Sequence, residues 1–279
     1  MSKPRGACIY CGGVDLTKEH VWADWLKEHI PRTEQGYGEA VEEISPDTAE
    51  TIVRNVSGNP HVRRIRKVCK TCNNSGMSVI QNSVKPFLSP ILRSEPTRLY
   101  KPAQRLLSAW YAMAVNIVDH DPATYPAIAL ADRVALKQNG APPSHWRIWI
   151  GHHPETRQGS LRTKVPIRLH EPGQQADPIA DFNTQTMSLF AGPVFFYAMT
   201  SSTRLGRKAI KRWTWSSDIM PKLSQIWPMV DNPVSWPLRE NIDRRDADFI
   251  SRAFLDWLRM TADVVDERAV YRFGERGQT

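Results

Sequence analysis

Two Cys-x-x-Cys pairs constrain most strongly how this chain can fold. The first pair is Cys8 and Cys11, and the second pair, Cys69 and Cys72, lies far along the chain. These are the only four cysteines among 279 residues, so no thiol is left over. A two-residue gap turns both thiols of a pair toward one point, and four such thiols are typical of a closed, tetrahedral zinc site. We therefore predict that Zn²⁺ joins these two loops, with an insertion between the pairs.

Two other interpretations of the cysteines stay open. Each thiol can be a buried, unreacted side chain, or a Cys-x-x-Cys can be a redox pair. A redox pair does not require a second copy, which favours zinc. Structural zinc contributes on the order of 10 kcal/mol to folding, and a short segment with little apolar core needs such a contribution.

The composition indicates a folded chain outside the membrane. Hydrophobic residues make up 41% of the sequence and there are ten tryptophans, which is enough for a sizeable core. No apolar run is long enough to cross a bilayer, and the start of the chain lacks the apolar stretch of a secretory signal. We expect a cytoplasmic protein with reduced thiols and no membrane partner, while the sequence leaves its oligomeric state open.

The charge balance favours an acidic partner, of which nucleic acid is the commonest. The formal net charge is +8 and the isoelectric point is about 9.4. The segment HVRRIRKVCK contains five cations and no acid. The candidate nucleic-acid-binding residues are therefore Arg63, Arg64, Arg66, Lys67 and Lys70. A second segment, RLGRKAIKRW, concentrates cations in the same way. A solvated surface remains the alternative for both clusters.

Polar residues that can do chemistry lie just beyond each cysteine pair. Glu19 and His20 follow the first pair, and Asn73 directly follows the second pair. If zinc joins the two loops, a carboxylate, an imidazole and an amide oxygen converge. Oxygen ligands from Glu19 and Asn73 suit Mg²⁺ or Mn²⁺, and a neighbouring His20 suits a general base acting on water. The alternatives are a surface Glu-His pair and an asparagine that only caps a helix.

The motifs CIYC, LTKEHVW and VCKTCNN together resemble a zinc-stabilised branch of the HNH (ββα-metal) nuclease superfamily. The resemblance covers about residues 7–85. It implies that the four cysteines hold structural zinc, that His20 is the general base, and that Glu19 and Asn73 hold the catalytic divalent cation. The later layout is loosely similar to that of bacterial and phage proteins of this kind, which suggests a phage-related or defence-related setting.

The expected fold is α+β, and the expected boundary between two domains lies near residue 86. Residues 1–86 are predicted to form a treble-clef-like ββα-metal zinc module, with residues 33–60 as an insertion containing a hairpin. Residues 87–279 are predicted to form a larger mixed α+β domain. Its patterns predict helices over 103–118 and 246–264, and strands at HWRIWIG, TKVPIRLH, on both sides of Gly192-Pro193, and at KRWTWSS.

Four further expectations concern local structure. Val21 should begin a helix, and a helix that starts near Asn73 should end at Pro86 and be followed by an extended crossing. His152 and His153 should be a loop pair without a ligand role. The late tryptophans should be packed in a core rather than stacked on bases.

Phosphodiester hydrolysis is the leading functional expectation. The chain is predicted to be a metal-dependent HNH-type endonuclease acting on nucleic acid, with DNA as the expected substrate. The first alternative is a zinc-knuckle protein that binds nucleic acid without cleaving it. The second alternative is a toxin or defence effector that uses the same chemistry on a different partner.

Overall fold

The structure of the protein is a computed structural model. The described residues are 6–20, 23–30, 40–44, 51–55, 64–120, 126–154, 162–170, 182–216, 220–261, 263–266 and 270–272. They form a mixed α+β structure with a cysteine cluster near its N-terminus, which confirms the predicted fold class at that level.

The cysteine-containing segments form two paired strands followed by a long helical segment. Strand β1 (Leu16–His20) pairs antiparallel with β4 (Arg64–Cys69). The chain then passes directly into α1 (Lys70–Cys72), a π-helical turn (Asn73–Met77) and α2 (Ser78–Leu92). The strand pair and the helical segment together carry both predicted motif regions.

Helix α2 continues through two prolines, so the predicted helix end at Pro86 was wrong. Pro86 and Pro90 both lie inside α2. Each proline removes one backbone donor, yet the apolar stripe of the helix stays buried at Ile80, Val84, Leu88, Ile91 and Leu92. Packing of that stripe outweighs the lost hydrogen bonds. The extended segment that was predicted after Pro86 is limited to strand β5 (Thr97–Leu99).

The stretch between the motif halves contains a hairpin, as predicted. Strands β2 (Ala40–Ile44) and β3 (Thr51–Asn55) pair antiparallel. The helix predicted from Val21 is instead one short 3₁₀ helix, Asp24–Glu28, and Val21 itself lies outside the described residues.

A seven-stranded sheet dominates the rest of the chain. Its strand order is β10-β6-β9-β8-β7-β13-β12. All neighbours are antiparallel except β13 and β7. The strands are β6 (Arg147–His152), β7 (Arg162–His170), β8 (Thr184–Ala191), β9 (Val194–Ser201), β10 (Ser224–Trp227), β12 (Asp263–Asp266) and β13 (Val270–Arg272). A separate short strand, β11 (Val234–Trp236), pairs with β5.

Within the described residues, four further α-helices accompany this sheet. They are α3 (Lys101–Asp119), α4 (Leu130–Asn139), α5 (Arg204–Ser216) and α6 (Arg244–Thr261). Helices α3 and α6 were predicted with bounds that differ by a few residues. The strand predicted at KRWTWSS was wrong, because these residues end helix α5. The buried side chains of α5 recur at helical spacing, at Leu205, Ala209, Ile210 and Trp213.

Two apolar cores lie on opposite faces of the sheet. On β9, Phe196 and Ala198 join the first core, whereas Phe195 and Tyr197 join the second. The first core also contains buried residues of the cysteine loops, α2 and α3, and the second contains those of α5 and α6. The first core therefore passes through both predicted domains without a break.

The described helices include none that combines the length and the apolar character needed to cross a bilayer.

Candidate metal centre and adjoining cleft

Four cysteine sulfurs gather at one point, as their spacing predicted. The Sγ atoms of Cys8, Cys11, Cys69 and Cys72 all lie within 4.8 Å of one another, and those of Cys11 and Cys69 are 3.5 Å apart. Zinc with Zn–S bonds of about 2.3 Å holds its four sulfurs roughly 3.8 Å apart. The cluster therefore has the size and the donor chemistry of a tetrathiolate site.

Backbone hydrogen bonds shape both cysteine loops. The amide of Cys8 donates to the carbonyl of Gly13 at 2.8 Å, and the amide of Gly12 donates to the carbonyl of Cys8 at 2.9 Å. Gly12 has a φ of 75°, which a residue with a side chain adopts only under strain. In the second loop, the amide of Cys72 donates to the Sγ of Cys69 at 3.4 Å. Both loops thus turn their sulfurs inward.

The thiols of the cluster differ in their electrostatic surroundings. Burial raises the pKa of Cys72 to about 12, whereas a backbone hydrogen bond from Gly13 lowers the pKa of Cys11 to about 7. Lys137, on helix α4, lies beside Cys72, and a hydrogen bond with that thiol raises the pKa of the Lys137 ammonium group. Lys137 therefore places a positive charge where a zinc tetrathiolate would carry excess negative charge. No motif in the sequence predicts this contact.

A polar cleft of about 540 Å³ opens beside the cysteine cluster. His20, at the end of β1, and Asn73, at the start of the π-helical turn, both line this cleft. The other lining residues are Ala23, Asp24, Trp25, Lys27, Glu28, Ser78, Gln81, Asn82 and Lys85. The structure thus brings together two of the three predicted catalytic residues.

His20 is held by an arginine on the neighbouring strand. The Nε of Arg64 donates a hydrogen bond to the Nε2 of His20 at 2.9 Å. Because an arginine cannot accept, Nε2 is the unprotonated nitrogen and Nδ1 carries the proton. Burial, followed by the charge of Arg64, lowers the pKa of His20 below its usual value. A neutral imidazole is the form that can take a proton.

A β-bulge brings His20 and Arg64 face to face. Leu16 pairs with Cys69 and Thr17 with Val68, but the register shifts before Glu19, which pairs with Ile65. The extra residue lies on β4, and His20 consequently pairs with Arg64. Without the bulge, the residue opposite His20 would be Ile65.

Asn73 and Glu19 are the two predicted ligands of the catalytic cation. The Nδ2 of Asn73 donates to the Oγ1 of Thr17 at 3.4 Å, which ties the helical turn to β1. Glu19 is part of β1, but its side chain lies outside the described part of the structure. Among the described residues, the cysteine cluster is the one group of three or more His, Cys, Asp or Glu ligands close enough to share an ion.

The predicted nucleic-acid-binding cations follow β4. Arg64, Arg66 and Lys70 are exposed, and Lys67 is half-buried. The Nε of Arg66 donates to the carbonyl of Leu16 at 2.9 Å, so its side chain crosses to β1. Arg63 lies outside the described residues.

Sequence reasoning missed a polar stripe on α2 that forms one wall of the cleft. Its members, at i, i+3, i+4 and i+7, are Ser78, Gln81, Asn82 and Lys85. The Nε1 of Trp25 donates to the Oε1 of Gln81 at 3.1 Å, and the ammonium of Lys85 lies 5.9 Å from the centroid of the Trp25 ring. The helical spacing of these polar residues was the signal that could have revealed them.

The adjacent histidines of β6 have structural partners. The Nδ1 of His152 is 2.7 Å from the Oδ1 of Asn241, and the Nδ1 of His153 is 2.6 Å from the carbonyl oxygen of Ile242. Both side chains are buried, and His152 ends strand β6 rather than lying in the predicted loop.

Comparison of the chain with family models, with curated proteins and with solved structures found no match.

Proposed function

We propose that this protein is an HNH-type endonuclease that hydrolyses phosphodiester bonds in DNA. One observation carries the proposal: His20 and Asn73, which are far apart in the sequence, line the same polar cleft beside four clustered cysteines. The order of elements supports it, because two paired strands lead into a helix, with His20 ending the first strand and Asn73 opening the helical turn.

In the proposed reaction, His20 acts as the general base. Its Nε2 takes a proton from a water molecule, and the water oxygen forms a bond to phosphorus. The bond between phosphorus and the leaving sugar oxygen then breaks, and a second water protonates that oxygen. The hydroxide that remains takes up the proton held by His20, which returns the imidazole to its neutral form. The half-buried position of the imidazole at the cleft keeps it neutral and within reach of water.

The remaining polar groups orient the substrate. A divalent cation, held by Glu19 and Asn73, would supply charge stabilisation for the phosphate and the leaving oxygen when bound. Lys85 and the amides of Gln81 and Asn82 line the same cleft as His20 and can bind flanking phosphates. Arg66 and Lys70 are exposed beyond the cleft and add affinity for the backbone without sequence preference.

Arg64 has two partners in this mechanism. In the free protein its guanidinium occupies the Nε2 of His20, which is the nitrogen that must take the proton. A DNA phosphate attracts the same guanidinium by charge-assisted hydrogen bonds, which are stronger than a bond to a neutral imidazole. Substrate binding therefore frees the base at the moment when it is needed.

A second candidate function is DNA binding without cleavage. The observation that favours it is the same hydrogen bond, because a guanidinium that stays on Nε2 leaves His20 unable to act as a base. The cysteine cluster and the exposed cations serve this function equally well.

A plasmid-cleavage assay separates the two candidates. With Mg²⁺ or Mn²⁺ present, wild type should cleave, and His20→Ala should reduce the rate by about 10²- to 10⁴-fold while DNA binding persists. Asn73→Ala should also lose activity. The matched control is Asn139→Ala at the exposed end of α4, which should cleave normally. Cleavage that survives His20→Ala would refute the assignment of the base, and binding without cleavage in either metal would support the second candidate.

A further inference from the structure

Helix α5 carries a continuous basic surface on the side of the sheet away from the cleft. Its exposed positions include five cations and no acid, and these cations are Arg204, Arg207, Lys208, Lys211 and Arg212. At 3.6 residues per turn they cover an arc of about 140°. The buried residues Leu205, Ala209, Ile210 and Trp213 occupy the opposite side of the helix and pack on the sheet.

The arrangement of these cations opposes the stability of the helix itself. Arg204 and Arg207 lie at its N-terminal end, where the helix dipole favours acids. The i,i+4 neighbours Arg204 with Lys208, and Arg207 with Lys211, are like-charge pairs that repel each other. In the described part of the structure, none of the three side chains Arg204, Lys208 and Lys211 forms an ion pair that would relieve this repulsion. An anionic partner would relieve it.

The dimensions of the surface match a nucleic-acid backbone. From Arg204 to Arg212 the helix rises about 12 Å. Each strand of a DNA duplex carries a phosphate roughly every 3.4 Å along its axis, so this length faces three or four phosphates of a strand. The aromatic residue Trp213 is buried, so within the described exposed positions of α5 no ring is available to stack on a base.

We propose that the exposed face of α5 is a second DNA-binding surface, which holds the phosphate backbone of a duplex without reading its sequence. It is separate from the cleft because α5 packs on the second core, whereas the cleft adjoins the first core across the sheet. This surface binds duplex DNA whether or not the cleft cleaves it.

Salt-dependent DNA binding tests this surface without any cleavage. The triple variant Arg204→Gln/Lys208→Gln/Lys211→Gln is compared with Arg98→Gln/Lys101→Gln/Arg239→Gln, which removes three exposed cations around β5 and β11. Binding of a duplex of about 20 base pairs, which is longer than the roughly 12 Å of helix that carries the cations, is measured by fluorescence anisotropy with no divalent cation added. Hydrogen exchange then reports whether the duplex protects α5.

The α5 variant should bind DNA roughly 10- to 100-fold more weakly near 0.1 M salt. Its slope of log K against log[salt] should be less negative than that of wild type by about 2.7, since three cations are lost. Its thermal midpoint should equal or exceed that of wild type, because three repelling charges are gone, so weaker binding cannot be attributed to unfolding. The control variant should change binding far less, and the duplex should slow hydrogen exchange around α5 in wild type.

Equal loss of binding in the two triple variants would overturn the proposal. Binding to phosphatidylserine vesicles that depends on α5, with duplex binding that does not, would also overturn it and would assign the surface to an anionic membrane. The His20→Ala variant should retain α5-dependent binding, so a failed cleavage assay leaves this test intact.

Discussion

His20 and Arg64 face each other across strands β1 and β4, and the Nε of Arg64 donates to the Nε2 of His20 at 2.9 Å. This contact fixes the tautomer of the imidazole and covers the nitrogen that the proposed reaction uses. The resting state of the cleft is therefore one in which the candidate base is positioned but not available.

Replacing Arg64 with alanine should release the imidazole. Without the guanidinium, the proton of His20 can move between Nδ1 and Nε2, whereas in wild type it stays on Nδ1. Nitrogen-15 NMR of the histidine rings distinguishes the two states. Arg66→Ala is the control, since Arg66 lies on the same strand but donates to the carbonyl of Leu16. An unchanged His20 spectrum in Arg64→Ala would show that the contact does not set the tautomer in solution.

Cys69→Ser should remove the metal and much of the stability of the N-terminal part. Three thiolates and a hydroxyl bind zinc far more weakly than four thiolates, and structural zinc contributes on the order of 10 kcal/mol to folding. Metal analysis should find about one zinc per chain in wild type and much less in the variant. Ser75→Ala, at an exposed position of the π-helical turn, should keep its zinc. Wild-type protein purified without bound metal would contradict the assignment of the cluster.

Lys137→Gln should weaken zinc binding while the protein remains folded. The ammonium group offsets negative charge beside Cys72, and loss of a group that supports metal ligands typically costs about 10-fold or more in affinity. Competition with a chromophoric chelator measures the change. Lys101→Gln removes an exposed lysine that is paired with Asp231, and should leave zinc affinity unaltered. Equal affinities in the two variants would remove Lys137 from the site.

Lys164→Met should destabilise the protein strongly. Lys164 is buried and its Nζ is 2.8 Å from the Oδ1 of Asp119, which is also buried. Breaking a buried pair leaves an uncompensated charge and costs about 3–5 kcal/mol in the free energy of unfolding. Lys101→Met breaks the exposed pair with Asp231, which solvent screens, and should change the free energy of unfolding far less. Urea denaturation compares them, and similar midpoints would show that the buried charge is relieved in another way.

Gly206→Ala should disturb the docking of α5 on the sheet. A Cβ at this position would lie 2.1 Å from the Oγ of Ser201 and 2.6 Å from the Oγ1 of Thr184. Overpacking of this kind costs roughly 1–3 kcal/mol. At Gly76 the nearest atom to an added Cβ is 3.8 Å away, and alanine there should stabilise the helical turn by about 0.5–1 kcal/mol. The thermal midpoints of the two variants should therefore shift in opposite directions. An unchanged midpoint for Gly206→Ala would contradict the close approach of α5 to Ser201 and Thr184.

The parts of the fold that the sequence predicted well have strong local signals. The cysteine cluster follows from two matched pairs with no leftover thiol, and α3 follows from an uninterrupted apolar stripe. The strands on both sides of Gly192 follow from a turn residue between two apolar runs, and Gly192 has a φ of 56°. In each of these places the local pattern and the final packing agree.

The predictions that were wrong involve competition between local and tertiary effects. Pro86 and Pro90 favour a helix end locally, but burial of Leu88 and Ile91 keeps α2 intact. Trp213 and its neighbours alternate like a strand over a few residues, whereas over a longer window the buried positions of α5 have helical spacing. A short window gave the wrong period.

The contact between His20 and Arg64 was beyond sequence reasoning because it depends on strand register. One extra residue in β4 shifts the pairing and replaces Ile65 with Arg64 opposite the imidazole. A bulge leaves no reliable mark in a single sequence. The position of Lys137 was equally hidden, since it comes from a helix outside the cysteine motifs.

Helix α2 links the candidate site to the larger sheet as one continuous rod. It begins beside the Asn73 turn, and its far end places Ile91 and Leu92 in the first core. Residue 86, where composition suggested a boundary, falls in the middle of this rod. A fragment cut there would lose the buried end of its own helix, so we expect the front part not to stay folded when it is expressed alone.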